Sequence, residues 1–399
     1  MKVKFKIPKV NKFLVIRLLA AVFGLIVVIF VSYFGYQTAV LGKKVTDLSA
    51  GWDKTKEELQ KTNTEFEELR NQDQIKINQT LNEEVENIHK TYGMAVASYE
   101  ELLKLKEATD KTQELDKLFT EALTFLAKFN YSSASATLVT LNKKIEEERT
   151  KAATTASKIP ENIPSQNTPP GAGYSRQKVT TEAGSFMVSI VAADLGNTKV
   201  IVDTASDGNC SDNCPVLSLA TYVARNNAFA GVNGSYFCPA TYPTCTGKTN
   251  TFDTLLMNKN KVYFNSDNNV YSTVPAVIFG NGYIRFVGQS LDWGRDTGID
   301  SMIANRPMLV QGGNIAFSGG GEAKEGNRGG RSFVANKGST VYIGVVHSAT
   351  VAEAAQAMKA LGMENALNLD DGGSTALWSG GYKVGPGRDL PNVVLFVRK

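Results

Sequence analysis

The sequence predicts an α+β chain. A β-rich domain with a mixed or antiparallel sheet is preceded by an N-terminal transmembrane helix and an α-helical, coiled-coil-like stalk. Three observations carry this. An almost unbroken apolar run from Leu18 to Phe34, continued weakly to Leu41, is long enough to span a bilayer once its flanks are included. From Val45 to Thr150 the chain is rich in Glu, Lys, Gln, Leu and Ala and contains no proline, which is a helical composition. After Tyr174, β-branched and aromatic segments are punctuated by glycine and asparagine, without regular strand-helix alternation.

Taken in order, the first segment is a basic tail and membrane anchor, residues 1–42. Lys2, Lys4, Lys6, Lys9, Lys12 and Arg17 lie on one side of the apolar run, which places the N-terminus in the cytoplasm and everything after Lys43 outside. A cleaved signal peptide is the main competitor. The length of the run, and the absence of a clear small-residue exit before Lys43-Lys44, favour an uncleaved single-pass anchor spanning residues 18–41.

The stalk, residues 43–158, shows alternating three and four spacing at Val45, Leu48, Trp52, Leu59, Phe66 and Leu69, and again from Leu81 to Leu102. Polar residues interrupt the seam between Asn71 and Gln79. A helical hairpin is expected beyond it, with Leu115 to Phe129 on one arm and Ala134 to Ile145 on the other. The seam suits a homodimer that holds the distal domain off the membrane, and it equally suits an intramolecular bundle. His89 belongs to the polar helical surface. Residues 159–173, with Pro160, Pro164, Pro169 and Pro170, are an extended linker that leaves residues 174–399 as the distal domain.

In that domain, strands are expected at Phe186–Val191, Lys199–Val202, Lys261–Phe264, Ala276–Phe279, Tyr283–Val287, Ser332–Ala335 and Thr340–Val346, and helices at Val216–Asn226 and Val351–Leu361. Thr350 with Glu353 forms a capping box, and Gly362 is a natural end for that helix. The four cysteines, Cys210, Cys214, Cys238 and Cys245, fall together in the part expected outside and read as two disulfides. Of three pairings the local one is favoured. A zinc site is weakly supported by these spacings, with no histidine nearby. With 43 basic against 39 acidic side chains and a net charge of +4, nothing global points to nucleic acid.

The densest chemistry lies in Asn368-Leu369-Asp370-Asp371-Gly372-Gly373-Ser374-Thr375. Here an apolar strand delivers two carboxylates into a glycine loop followed by two hydroxyls. Alone, this stretch is as readily a hairpin turn as a site. Other polar groups gather where strands end: Asn233, Ser235 and Tyr236 after Gly231-Val232; Asn305-Arg306-Pro307 before Met308; the glycine-dense Ser318 to Gly330 loop, which leads into Arg331; and Gly385-Pro386-Gly387-Arg388 before the last strand.

Together these segments resemble the phosphodiester glycosidase family. Asn368 to Thr375 looks like its C-terminal signature, Val232 to Phe237 like its Asn-Gly-Gly-Phe-Phe-like segment, and Arg306 to Val310 like its Gly-Pro-Leu-Val-like segment. Arg331 and Arg388 look like its strand-opening and late arginines. The ordered matches run across the distal domain and leave the stalk and anchor uncovered. One departure stands out: the family pattern usually has glycine directly after the aspartate, where this chain has Asp371. The added carboxylate could clash with a ligand, join the chemistry, or point away.

The resemblance implies a hydrolase of sugar-1-phosphodiesters, here expected to act on extracytoplasmic or envelope glycopolymers, possible sugars including N-acetylhexosamine. Asp370 would be the nucleophile or the base on water, with Asp371 as its partner, Arg331 on the phosphate oxygens, and His347 a candidate acid whose commoner role would be structural. Asn233, Ser235, Tyr236, Arg306, Asn368, Gly372, Gly373, Ser374, Thr375 and Arg388 would hold the substrate. No cofactor is implied, although the paired aspartates keep a divalent cation open. A non-catalytic sugar-phosphate binding or scaffolding protein is the alternative. A metal-dependent phosphodiesterase is a third reading, opposed by the shortage of histidines.

Overall fold

The computed structural model describes residues 12–70, 73–107, 109–156, 159–320 and 323–399. Lys2 to Lys9, Asn71 at the seam interruption, and Gly321 of the glycine-dense loop lie outside the described residues. The chain divides into two compact units, Met1–Glu86 and Asn87–Lys399.

The first unit contains α1 (Lys12–Arg70) and the start of α2 (Asp73–Lys106). By length and composition, the helical region that begins at Ile16 near the N-terminus holds an apolar window able to cross a membrane. Every large apolar side chain from Leu18 to Phe34 in this stretch is exposed, and so are the seam residues Val45, Leu48, Trp52, Leu59, Phe66 and Leu69.

In the second unit the end of α2 packs with α3 (Gln113–Ala127) and α4 (Tyr131–Ala156). Their shared core contains Ala95, Leu102, Leu105, Leu115, Ala122, Leu126, Leu138, Leu141 and Ile145. Here the apolar stripe is buried by the chain's own helices. Arg149 ties α4 to Glu101 of α2 at 2.5 Å, and Lys106 meets Asp116 at 2.7 Å.

The strands follow as β1 (Gly173–Thr181), β2 (Gly184–Asp194) and β3 (Thr198–Thr204), then α5 (Leu219–Arg225). Next come β4 (Ala230–Asn233), β5 (Leu256–Met257), β6 (Tyr263–Phe264), β7 (Ala276–Gly280), β8 (Tyr283–Val287), β9 (Ser301–Ala304), β10 (Met308–Gln311) and β11 (Asn314–Ile315). After the short α6 (Ala323–Gly326) the chain forms β12 (Gly329–Lys337), β13 (Thr340–Ala349), α7 (Val351–Ala360), β14 (Asn365–Asp371), β15 (Leu377–Ser379), β16 (Tyr382–Val384) and β17 (Asn392–Arg398).

Three sheets result: a seven-stranded one in the order β1-β2-β13-β12-β14-β10-β11, and two five-stranded ones, β16-β15-β4-β17-β3 and β6-β5-β9-β7-β8. Neighbouring strands pair antiparallel, for example β12 with β14 and β17 with β4. Alternation puts Val191, Val334, Ile343 and Leu367 of the large sheet against Val202, Val232, Phe264, Val277 and Phe396 of the other two, giving one central core. On its other face the large sheet is covered by α7 through Val351, Ala354, Ala355 and Met358. The Thr350 capping box is formed, with Thr350 Oγ1 accepting from Glu353 N at 3.1 Å and Glu353 Oε2 from Thr350 N at 2.8 Å.

Three local expectations change. β1 was not anticipated, because its buried polar Gln177 breaks the apolar alternation; its amide donates to Gln166 O at 2.9 Å and Thr168 O at 3.0 Å. Lys261 does not begin a strand: it sits at φ 64° in a tight turn, donating to Asn258 O at 2.9 Å. The helix expected from Val216 starts at Leu219, because the Ser218 hydroxyl caps it by accepting from Thr221 N at 3.2 Å.

Candidate functional site

The site is assembled where β4 and β14 end side by side. Asp370 N donates to Gly234 O at 2.8 Å, and the Asn233 side chain donates to Asp370 O at 2.7 Å. The Asn233 carbonyl oxygen accepts from Ser332 Oγ at 2.7 Å and Ala376 N at 3.1 Å. Asn233 is fully buried, so this amide laces three strands and its functional groups face protein. Ser235 is committed in the same way: its N–H donates to Asn392 Oδ1 at 2.9 Å, and its hydroxyl accepts from Asn392 Nδ2 at 3.0 Å. A side chain at Gly234 would overlap Asn392, which explains the glycine between them.

The two aspartates diverge. Between β12 and β14 the register slips: Arg331 pairs with Asp371, but Phe333 pairs with Asn368, leaving one extra residue on β14. A bulge of this kind re-aims side chains. It brings Asn368 and Asp371 to the same partner, the Tyr236 hydroxyl, which accepts from Asn368 Nδ2 at 2.8 Å and donates to Asp371 Oδ2 at 2.9 Å. Burial first, and then the neighbouring Asp371 charge, raise the Tyr236 pKa far above that of free tyrosine, so the hydroxyl stays protonated. Asp370 is 7% exposed, and its Oδ1 accepts from the Asp371 N–H at 2.9 Å.

Arg331, 3% exposed, donates to Ala349 O at 2.9 Å, to Asn327 O and to the Asp371 carboxylate. It thus holds Asp371 in place. Of the three fates open to Asp371, the geometry shows a carboxylate turned into a buried ion pair beside Tyr236.

After Asp371 the chain makes a single 3₁₀ turn, Gly372–Ser374, entered through Gly372 at φ 60°. Ser374 is buried, and Thr375 Oγ1 donates to Gly330 O at 3.2 Å. The last loop closes on this turn. Arg388 N donates to Gly373 O at 2.8 Å, and Gly387, at φ 69°, sits where a Cβ would press on Gly373 O. The Arg388 guanidinium lies 5.3 Å from the Tyr242 ring centre, and burial lowers its pKa to about 10. It also forms an ion pair with Glu107, the residue after α2.

Two expected members stand differently. The Arg306 side chain is exposed, while its carbonyl accepts from Asn368 Nδ2 at 3.3 Å. His347 lies near the end of β13, with Nε2 2.9 Å from the Ser189 hydroxyl. Burial pushes its pKa down to about 4, so the ring is neutral at pH 7.

Tyr242 and Glu107 join the site without having been singled out in the sequence. Tyr242 is marked only by lying within the Cys238–Cys245 disulfide loop, and Glu107 is one of many glutamates in a charged helix. Both disulfides are local, Cys210–Cys214 and Cys238–Cys245. Among the described residues, no group of three or more His, Cys, Asp or Glu side chains is placed to hold a metal ion.

Residues 226–397 match the family model described as phosphodiester glycosidase. No curated protein matches the chain. Among solved structures it is similar to a hypothetical protein from Synechocystis, with 13% identity, a TM-score of 0.41, and coverage of 56% of this chain and 62% of that one, less than two thirds of its length. It is also similar to the catalytic domain of zebrafish N-acetylglucosamine-1-phosphodiester alpha-N-acetylglucosaminidase, with 15% identity, a TM-score of 0.45, and coverage of 59% and 87%. A protein from Burkholderia pseudomallei gives 14% identity, a TM-score of 0.35, and coverage of 53% and 74%. Residues 226–397 of this chain therefore form a phosphodiester glycosidase domain.

Proposed function

We propose that the chain is a membrane-anchored, extracytoplasmic hydrolase that cleaves the bond between an anomeric carbon and a phosphate oxygen in glycosyl phosphodiesters of envelope glycopolymers. The observation that carries this reading is the placement of Asp370. It sits near the end of β14, inside the matched domain, with only Asp371 between it and the glycine turn on which Arg388 closes.

The leaving group in such a substrate is a phosphate monoester, already anionic, with a second pKa of about 6. It needs charge neutralisation more than protonation, and a guanidinium supplies that with parallel hydrogen bonds. Arg388 is the arginine suited to the task, because Arg331 is spent on Asp371 and two backbone carbonyls. Asp370 then serves as nucleophile or as base on water against an oxocarbenium-like transition state. Asp371, held by Arg331, sets the Tyr236 hydroxyl next to the reacting sugar.

The anchor reading rests on the apolar helix near the N-terminus, and the outside location of the domain on its two disulfides. A homodimer through the exposed seam from Val45 to Leu69 fits the same picture. Non-catalytic recognition of a sugar phosphate is the second reading, favoured by the commitment of Asp371 to an ion pair within the fold. The test is release of reducing sugar from an N-acetylglucosamine 1-phosphodiester by the full chain in detergent. Turnover that Asp370→Asn abolishes supports the hydrolase; binding without turnover supports the second reading.

A further inference from the structure

One ion pair at the site reaches outside the matched domain. Glu107 extends the last turn of α2, its N–H donating to Leu103 O at 3.3 Å, and its carboxylate pairs with the Arg388 guanidinium. The same carboxyl group lies directly on the glycine turn. A Cβ built on Gly373 would collide with it, and one built on Gly372 would stand 3.5 Å from Glu107 Oε2. Both side chains of the pair are mostly covered, at 20% and 27% exposure for Arg388 and Glu107.

A second contact fixes this approach. Glu100, two helical turns earlier, accepts from Thr244 N at 3.0 Å and Thr244 Oγ1 at 2.6 Å. Thr244 belongs to the Cys238–Cys245 loop that also carries Tyr242, the ring beside Arg388. The helical segment therefore grips the stapled loop with one glutamate and reaches the glycine turn with another.

A carboxylate on the glycine turn that follows two aspartates is electrostatically unfavourable unless a cation faces it, and Arg388 is that cation. Removing Cβ atoms at positions 372 and 373 leaves room for the incoming anion, whose charge the guanidinium meets. These are the requirements of an anion subsite, and in this chain an internal anion meets them.

We propose that Arg388 and the Gly372–Gly373 turn form the subsite for the phosphate of the ligand, and that Glu107 is its internal occupant, displaced when a phosphate-bearing ligand enters. The proposal builds on the sugar-phosphodiester reading and names a specificity-determining residue for it outside residues 226–397. A ligand has to out-compete a tethered carboxylate, so weakly charged sugars are rejected while phosphorylated ones are admitted. Apparent affinity is then the intrinsic affinity reduced by the fraction of chains in which the subsite is open.

The experiment is calorimetric titration of inorganic phosphate and of glucose 1-phosphate into the full chain in detergent, for the wild type, Glu107→Gln, Glu107→Ala and Arg388→Gln. Removing the internal competitor is expected to tighten phosphate binding by about tenfold or more, as for a subsite closed nine-tenths of the time. Arg388→Gln is expected to abolish it. In a turnover assay, Glu107→Gln should lower KM for the phosphodiester.

Phosphate affinity that is unchanged or weaker in both Glu107 variants would overturn the proposal, because Glu107 would then merely position Arg388. Tighter phosphate binding without turnover in any variant would leave the subsite standing and remove the hydrolase reading. Turnover with phosphate binding indifferent to Glu107 and Arg388 would do the reverse.

Discussion

Replacing Asp371 with asparagine isolates the buried ion pair beneath the site. The Arg331 side chain is 3% exposed and that of Asp371 16%, so the guanidinium cannot rehydrate when its carboxylate is lost. Breaking a buried pair by removing one partner costs about 3–5 kcal/mol. Ala349 O and Asn327 O still accept from Arg331, which argues for the lower end, about 3 kcal/mol. For a domain of this size each kcal/mol moves Tm by about 2–4 °C, giving a fall of roughly 6–12 °C.

The assay is thermal unfolding followed by near-ultraviolet circular dichroism, which reports Trp293 and Trp378 of the β-rich domain. Arg331→Met combined with Asp371→Leu should recover part of the loss, since an apolar replacement of a whole buried pair is often neutral, while Ala349 O and Asn327 O lose their donor. A single variant within about 2 °C of wild type, or a double variant no better than the single, would refute the argument.

Three further outcomes are expected. Asp370→Asn should leave Tm near that of wild type while lowering kcat by about 10²–10⁴-fold, read from sugar release; a full rate would remove Asp370 from the chemistry. His347 has its folded pKa depressed to about 4, so it imposes no penalty above its unfolded value near 6.5, while stability falls as pH drops from there toward 4. The total is up to about 3 kcal/mol, and urea unfolding across pH 4–7 should show a shallower acid limb in His347→Gln. If the Val45 to Leu69 seam pairs two copies, Leu59→Asn with Phe66→Asn should halve the protein mass measured by sedimentation in detergent; an unchanged mass would mean these exposed residues do not hold a dimer.

Local chemistry made the scaffold legible. Thr350, Glu353, the apolar stripe from Val351 to Met358, and Gly362 specify one helix by interactions within a few residues of each other, and the helix forms as expected. The strands from Phe186 to Val191 and from Thr340 to Val346 were readable for the same reason, as β-branched runs buried on both faces. What was not legible depends on distant partners. β1 carries a buried glutamine whose acceptors, Gln166 O and Thr168 O, lie in the proline-rich segment before it. The orientation of Asp371 is set by a bulge, which exists only in the pairing of β12 with β14. Asn233 reads as a substrate-binding group only through the family resemblance of Val232 to Phe237; its partners, Ser332, Asp370 and Ala376, lie about a hundred residues or more away in sequence. Glu107 pairs with a residue 281 positions later, which no local pattern announces.

The central claim is that this site breaks the carbon-oxygen bond at the anomeric centre, with Asp370 acting on the sugar rather than on phosphorus. The most direct measurement is turnover of an N-acetylglucosamine 1-phosphodiester by the full chain in heavy-oxygen water, followed by mass spectrometry of both products. The label is expected on the anomeric oxygen of the released sugar, with unlabelled phosphate monoester. Label in the phosphate would show phosphorus-oxygen cleavage and contradict the account.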